Sequence, residues 1–365
     1  MSKILELIDR NTGGRCLPTY RTNIDHERFD DHDDKEEVFN ESKVGETSRY
    51  IKNRHIDTDL EHTIFTYFLD GSRRTFRVSM YLTSNGKYLP LVAAQIGSAI
   101  CKRENGTMKK FKFLRKNILL VPNLIPKDEI DAIQESIIKD SSLEKYINEV
   151  VSYSPYKDLN ISPENIAIAK ANKHMHDQEI ELIHEMVNSN YLETDDMMII
   201  DGSLQFSGIQ EKDEKIFENV VGISKNFNPR LTGVLKSSKK EIGSYLTELE
   251  VAQRTPVVMF PALGNKMKLK IGAWYIRIHP KDRCQMPLEG IIKVEKVATK
   301  ESEKDESEGF DSNTIDSISS AILSERNVTC YGKDSRWASH LYPIYLTETF
   351  LKNSFLRDIH FLNSF

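Results

Sequence analysis

Hydrophobic positions fall in short runs that change period along the chain. His62 to Leu69, rich in aromatic and β-branched residues, predicts a strand ending at Asp70-Gly71-Ser72, and Arg74 to Thr83 predicts a second. Ser84-Asn85-Gly86 predicts a tight hairpin, because Asn-Gly accepts the positive φ angles such a turn needs. Lys87 to Ile100 then predicts the third of three consecutive antiparallel strands. From residue 102 to about 170 the pattern changes. Asn117 to Val121 is a short strand. Pro126 opens a helix on which Ile130, Ile133 and Ile137 recur, and Pro155 and Pro163 interrupt the chain again. This section reads as an inserted subdomain.

Helical spacing returns from Ile166 to about Asn188, followed by an apolar strand, Met197 to Ile200, ending at Asp201-Gly202-Ser203. Further strands are expected at Val220–Ile223, Val257–Phe260, Met267–Ile271 and Trp274–Ile278. Helices are expected at Ser237–Ala252, Thr314–Leu323 and Tyr342–Leu356. A β-rich start followed by alternating β and α predicts an α/β domain with a mixed sheet. Residues 1–55 are polar and read as an N-terminal extension to a 56–365 domain. Ile4, Leu5 and Ile8 suit a short helix that docks onto a partner.

Composition narrows the class. The chain has 365 residues with 39% apolar content, enough for a core. No apolar run reaches the roughly 18 residues a membrane span needs, and Met1 to Thr12 lacks the apolar core of a signal peptide. Cys16, Cys101, Cys284 and Cys330 are far apart, so a reducing cytoplasm fits best.

Charge is unevenly distributed. Fifty Lys and Arg against 55 Asp and Glu give −5 overall. Asp25 to Glu37 holds eight acids and two bases, and Lys300 to Ser317 seven acids and two bases, so the rest of the chain is net positive. The acidic stretch at about 299–313 reads as a solvated loop. Bases cluster at Lys102–Lys116, where Lys109, Lys110 and Lys112 interleave with Phe111 and Phe113, and at Lys266, Lys268 and Lys270, which alternate with apolar residues. Such patches suit phosphate neutralisation, and equally suit a solvated face.

One local pattern carries chemistry. Phe68-Leu69-Asp70-Gly71-Ser72 and Ile199-Ile200-Asp201-Gly202-Ser203 each end an apolar strand on a carboxylate. If the two strands are parallel neighbours, the two acids lie side by side and repel unless a cation separates them; hard oxygen ligands suit Mg²⁺ or Mn²⁺. On the preceding helix, Met175, Glu179, Leu182, Ile183 and Met186 share a face. Glu179 therefore completes a three-carboxylate site, with Glu181 the rival. His174 and His176 are two residues apart on that helix and so point in nearly opposite directions. No GxxxxGK[ST], GxSxG or HExxH motif occurs.

This order of elements is that of a ribonuclease H-like fold, a mixed β-sheet flanked by helices. More narrowly, the chain resembles the NurA nuclease family. The matching residues are Leu69-Asp70-Gly71-Ser72, Ile200-Asp201-Gly202-Ser203-Leu204, Val221-Gly222-Ile223-Ser224-Lys225, Trp274-Tyr275-Ile276-Arg277 and Tyr342-Pro343. The resemblance implies a metal-dependent DNA nuclease, exo- or endonucleolytic, using Mn²⁺ or Mg²⁺ as a pair of ions. It further implies a dimer working with a HerA-like hexameric ATPase in DNA end processing or anti-phage defence. Asp70, Asp201 and Glu179 would be the metal ligands and, with Tyr342, the catalytic residues. Lys109, Lys110, Lys112, Lys225, Lys266, Lys268 and Arg277 are the DNA-binding candidates. The family's histidine eight residues after the tyrosine is replaced by Phe350. That departure leaves open a catalytically weak adaptor of the ring ATPase, and the residues alone also allow an RNA nuclease.

Overall fold

The computed structural model of the chain describes all residues except 1, 24–37, 40, 43–53, 57–62, 205–210, 230–240, 262–269, 306–307 and 327–338. Its frame is a three-strand meander of unusual length: β1 (Phe65–Leu82), β2 (Tyr88–Glu104) and β3 (Thr107–Pro122). Asp70-Gly71-Ser72 does not end a strand. Ser72 pairs with Gly97 and Arg74 with Gln95, so the two strands expected at 62–69 and 74–83 are one. The second hairpin, missed in the sequence, is another Asn-Gly turn: Asn105 and Gly106 have φ of 50° and 73°, the positive values such turns require.

Residues 102–122 are therefore not part of an insertion; they are the end of β2 and the third strand of the sheet. β4 (Glu149–Tyr153) extends the sheet by pairing parallel to β3. Between them, α1 (Lys127–Lys139) buries Ile133 and Ile137, two residues of the expected isoleucine stripe.

The long helix α2 (Pro163–Asn188) starts where its sequence directs. Ser162 accepts from the Asn165 amide at 3.2 Å, Pro163 occupies the first turn and Glu164 faces the positive end of the helix dipole. α2 crosses the sheet and delivers β5 (Met197–Asp201), which lies parallel to β1 on the side away from β2. β6 (Val220–Ser224) is parallel to β5. β7 (Val258–Pro261), β8 (Lys270–Arg277) and β9 (Ile291–Val297) continue the sheet. Within it these nine strands run in the order β7-β8-β9-β6-β5-β1-β2-β3-β4, and short strands, Val38–Phe39 beside β7 among them, add to its margins. Its centre is the ribonuclease H-like arrangement, and the whole is a large mixed sheet flanked by helices. β9 has no counterpart among the expected strands.

Strand alternation gives each face its own core. Tyr67, Leu69, Met198 and Ile200 pack with Leu182, Ile183 and Met186 of α2. Phe68, Ile199, Val221 and Ile223 pack on the other face with Ile315, Ile318 and Ile322 of α3 (Ser312–Ser324) and Ile344 of α4 (Tyr342–Ser354).

Two other expectations are corrected by packing. The helix over Lys3–Asn11 is no docking arm, because Ile4, Leu5 and Ile8 are at most 5% exposed and lie in one cluster with Ile133, Ile137, Phe361 and Phe365. The acidic stretch is not simply a solvated loop. Phe310 is 1% exposed, Glu303 accepts from the Thr299 amide at 2.9 Å, and Lys304 pairs with Glu214 at 2.7 Å. Phe310 and Glu303 thus serve core and backbone, while Glu301, Asp305, Glu308 and Asp311 stay exposed.

Candidate active site

The register of β1 and β5 makes the site. Leu69 lies opposite Ile200 in the parallel ladder, so the next residues, Asp70 and Asp201, stand side by side. Beyond Asp201 the chain turns at Gly202, whose φ of 131° strains any L side chain. Glu295 of β9 fixes that turn: its Oε2 accepts from Ser203 Oγ at 2.7 Å and from the Leu204 amide at 2.8 Å. Burial opposes ionisation of Glu295, but Lys293 at 3.0 Å and these two donors outweigh it, and its carboxyl stays below the ordinary range.

Lys225 follows β6 directly. Its Nζ lies 2.7 Å from Asp201 Oδ2, with only 7% of its side chain exposed. Burial works against its charge, yet the Asp201, Asp70 and Glu348 carboxylates hold it above the usual lysine range. Lys225 is thus part of the carboxylate cluster rather than of a surface DNA patch.

Asp70 is 4% exposed. Burial, and then the neighbouring Asp201, push its carboxyl well above the usual carboxylate range. Lys225 acts in the opposite sense, and Glu348 and Glu179 add to the rise. Its Oδ2 is buried without a hydrogen-bond partner, an expensive state for a carboxylate that a cation would relieve.

The third carboxylate on this face is Glu348, not Glu179. Consecutive β1 side chains reach opposite helices: Arg73 donates to Asn172 of α2, whereas Arg74 donates to the Lys352 carbonyl of α4 at 3.3 Å. Gly71 shares the Arg73 side, and a Cβ at Gly71 would collide with Glu179 Oε1. Asp70 shares the Arg74 side, that of α4. Glu179 is buried as the helix pattern predicted, and Glu181 is exposed. But Glu179 lies behind the sheet, 2.7 Å from His176 Nδ1. The spacing that put it on the apolar face could not say which face of the sheet α2 covers.

Glu348 was missed, although a signal was present. Ile344, Thr347 and Leu351 are buried on α4, and Glu348 shares their i, i+3, i+4, i+7 stripe. Gly97 of β2 lets α4 approach, since a Cβ there would lie 3.0 Å from Leu351 Cδ1. Glu348 is 16% exposed and pairs with Lys352.

The remaining candidates separate. Tyr342 is 51% exposed at the start of α4, about 9 Å along the axis and a third of a turn around from Glu348. Arg277 is fully buried. It donates to the carbonyls of Leu249, Glu289 and Pro287, bracing loops rather than contacting DNA. Lys109 and Lys110 are exposed on β3, and Lys112 pairs with Glu185. Lys266 and Lys268 lie outside the described residues.

Asp70, Asp201 and Glu348 supply only hard oxygen donors, and with the orphaned Asp70 Oδ2 this set fits a divalent cation such as Mg²⁺ or Mn²⁺. Among the described residues no three acidic, His or Cys side chains are already drawn together as a ligand set. Also among them, no helix is long and apolar enough to cross a membrane.

No family model matches the chain, and no curated protein does. Among solved structures it is similar to the crystal structure of the NurA nuclease from Sulfolobus solfataricus. Identity is 12% over 83% of this chain and 82% of that one, with a TM-score of 0.42.

Proposed function

We propose that the chain is a divalent-metal-dependent nuclease acting on DNA. The observation that carries this reading is the pairing of Asp70 with Asp201 at adjacent strand positions, with Asp70 Oδ2 buried and unpartnered. A divalent cation would relieve the repulsion of the two carboxylates, and the same ion can serve phosphodiester hydrolysis. When bound, a divalent ion supplies an activated water and neutralises charge on the phosphate.

The residues divide the remaining work. Asp70, Asp201 and Glu348 would hold the ion. Lys225 orients Asp201 through their 2.7 Å ion pair, and its ammonium is within reach of a phosphate oxygen entering beside Asp201. Gly202 and Glu295 fix the turn, so the Asp201 carboxylate is held in place before substrate arrives. Lys110 and its basic neighbours on β3 suit backbone contacts that carry no sequence preference.

Glu348 also bears on the adaptor alternative. Phe350 stands where the resembled family places a histidine, but the same helix presents a carboxylate two residues earlier, so the site does not lack an acidic group from α4. The sequence motifs support a HerA-like ATPase as partner, in a dimeric or larger assembly. Co-purification with such an ATPase tests that. Cleavage of labelled DNA with Mn²⁺, and its loss on adding a chelator, tests the nuclease reading.

A further inference from the structure

We propose that Phe113 is a base-stacking platform for a single nucleic-acid strand running to the carboxylate site. The proposal rests on the nuclease reading for the direction of that strand, but its binding test does not. Phe113 of β3 is 54% exposed, a large apolar ring left in water. Its place in the sheet is defined by register: Asp70 lies opposite Ala99 on β2, and Ala99 lies opposite Phe113. Directly opposite residues share a face, so Phe113 and Asp70 stand on the same side, two strand spacings or roughly 10 Å apart. A strand stacked as in duplex DNA covers that in about three nucleotide steps.

The surroundings brace the ring without covering it. Phe350 of α4 meets Phe113 at 5.8 Å between centroids, with planes at 85°. Lys110 Nζ sits 4.2 Å above the Phe350 ring. Register also sets the charge around it. A bulge between Ile100 and Cys101 places Lys110 opposite Cys101, and Arg115 lies opposite Gly97. Gly97 faces α4, and Arg115 donates to the Ser354 carbonyl at the end of that helix. Lys110, Phe113 and Arg115 therefore run along one face of β3, a base, an aromatic and a base, both bases exposed. A positive track with an exposed ring is the recognition chemistry of single strands: the ring accepts any base and the cations follow the phosphates.

The occupant is a single strand rather than a duplex, because a base stacked on Phe113 must be free on one face. It is a nucleic acid rather than an apolar peptide, because the ring is flanked by cations along the strand and lies in line with the carboxylates.

Fluorescence anisotropy in chelator, where no cleavage occurs, tests this with full-length protein. The probes are labelled oligo(dT), oligo(U) and an abasic oligonucleotide that keeps the phosphates and lacks bases. Phe113→Ala should weaken oligo(dT) binding by about tenfold or more, Phe113→Trp should restore it, and binding of the abasic strand should not change. Lys110→Gln should weaken both strands alike. Equal behaviour of oligo(dT) and oligo(U) would assign the platform to either sugar. A Phe113→Ala protein that binds oligo(dT) like wild type, or that loses the abasic strand equally, would overturn the proposal, as would a wild type that binds no oligonucleotide. If the protein cleaves nothing yet Phe113→Ala still loses base-dependent binding, the nuclease reading fails and the platform stands.

Discussion

Glu348 of α4 and Asp70 of β1 stand on one face of the sheet, while Glu179 lies behind Gly71 on the other. The two glutamates should therefore behave differently on mutation. Glu348→Gln should lower metal-dependent cleavage by at least roughly 10²-fold, by weakening the hold on the ion. Glu179→Gln should keep most of the activity and instead lower the melting temperature, because it removes the carboxylate partner of His176. Parallel cleavage assays and thermal melts decide this; a dead Glu179→Gln enzyme beside an active Glu348→Gln enzyme would reverse the assignment.

Asp70 should set the fold and the chemistry against each other. Its carboxyl is raised well above the usual range, first by burial. A raised folded-state value means that metal-free stability is fully present below the unfolded value, about 3.9, and falls as pH rises through the folded value. Asp70→Asn has no such loss. It should melt higher than wild type without metal, with a margin that grows from acid to neutral pH, and should cleave at least about 10²-fold more slowly. Urea unfolding across pH in chelator measures the margin.

Lys225 balances this cluster without metal. Replacing it by Met leaves Asp201 uncompensated in a largely buried position, which should destabilise the chain by about 3–5 kcal/mol. Added Mn²⁺ should recover more melting temperature in the variant than in wild type, because the ion takes over the lost positive charge. No difference in metal response would place the ion elsewhere.

How far the site was legible in the sequence depended on local information. Asp70 and Asp201 were visible because both end apolar runs on Asp-Gly-Ser, and the parallel register then brings them together. Glu179 was correctly read as buried from helix periodicity, but periodicity fixes an inward side, not a position above or below the sheet. Glu348 lay on an apolar stripe of α4, and its partners Asp70 and Asp201 are 278 and 147 residues earlier, so only the fold could join them. The chain breaks expected at Asp70-Gly71-Ser72 failed because Gly71 serves the approach of Glu179 rather than a turn. Arg277 was a DNA-contact candidate because it ends the Trp274-Tyr275-Ile276-Arg277 motif of the resembled family, yet carbonyl oxygens of two loops satisfy it.

The two segments whose packing contradicts their polar composition should be sensitive. Ile8→Asp places a charge in the cluster formed with Phe361 and Phe365 and should unfold that corner of the chain. Phe310→Ala opens a cavity against Gly272 and should cost about 3–5 kcal/mol. Either variant melting like wild type would return its segment to the solvated role its composition suggested.

The central claim is that Asp70, Asp201 and Glu348 hold a divalent ion that cleaves DNA. Its most direct test is cleavage of end-labelled single- and double-stranded DNA by wild type with Mn²⁺, repeated with chelator and with Asp70→Asn. Cleavage by wild type alone, abolished by chelator and reduced at least about 10²-fold in the variant, is the predicted result. Equal cleavage by the two proteins, or cleavage that persists in chelator, would contradict it.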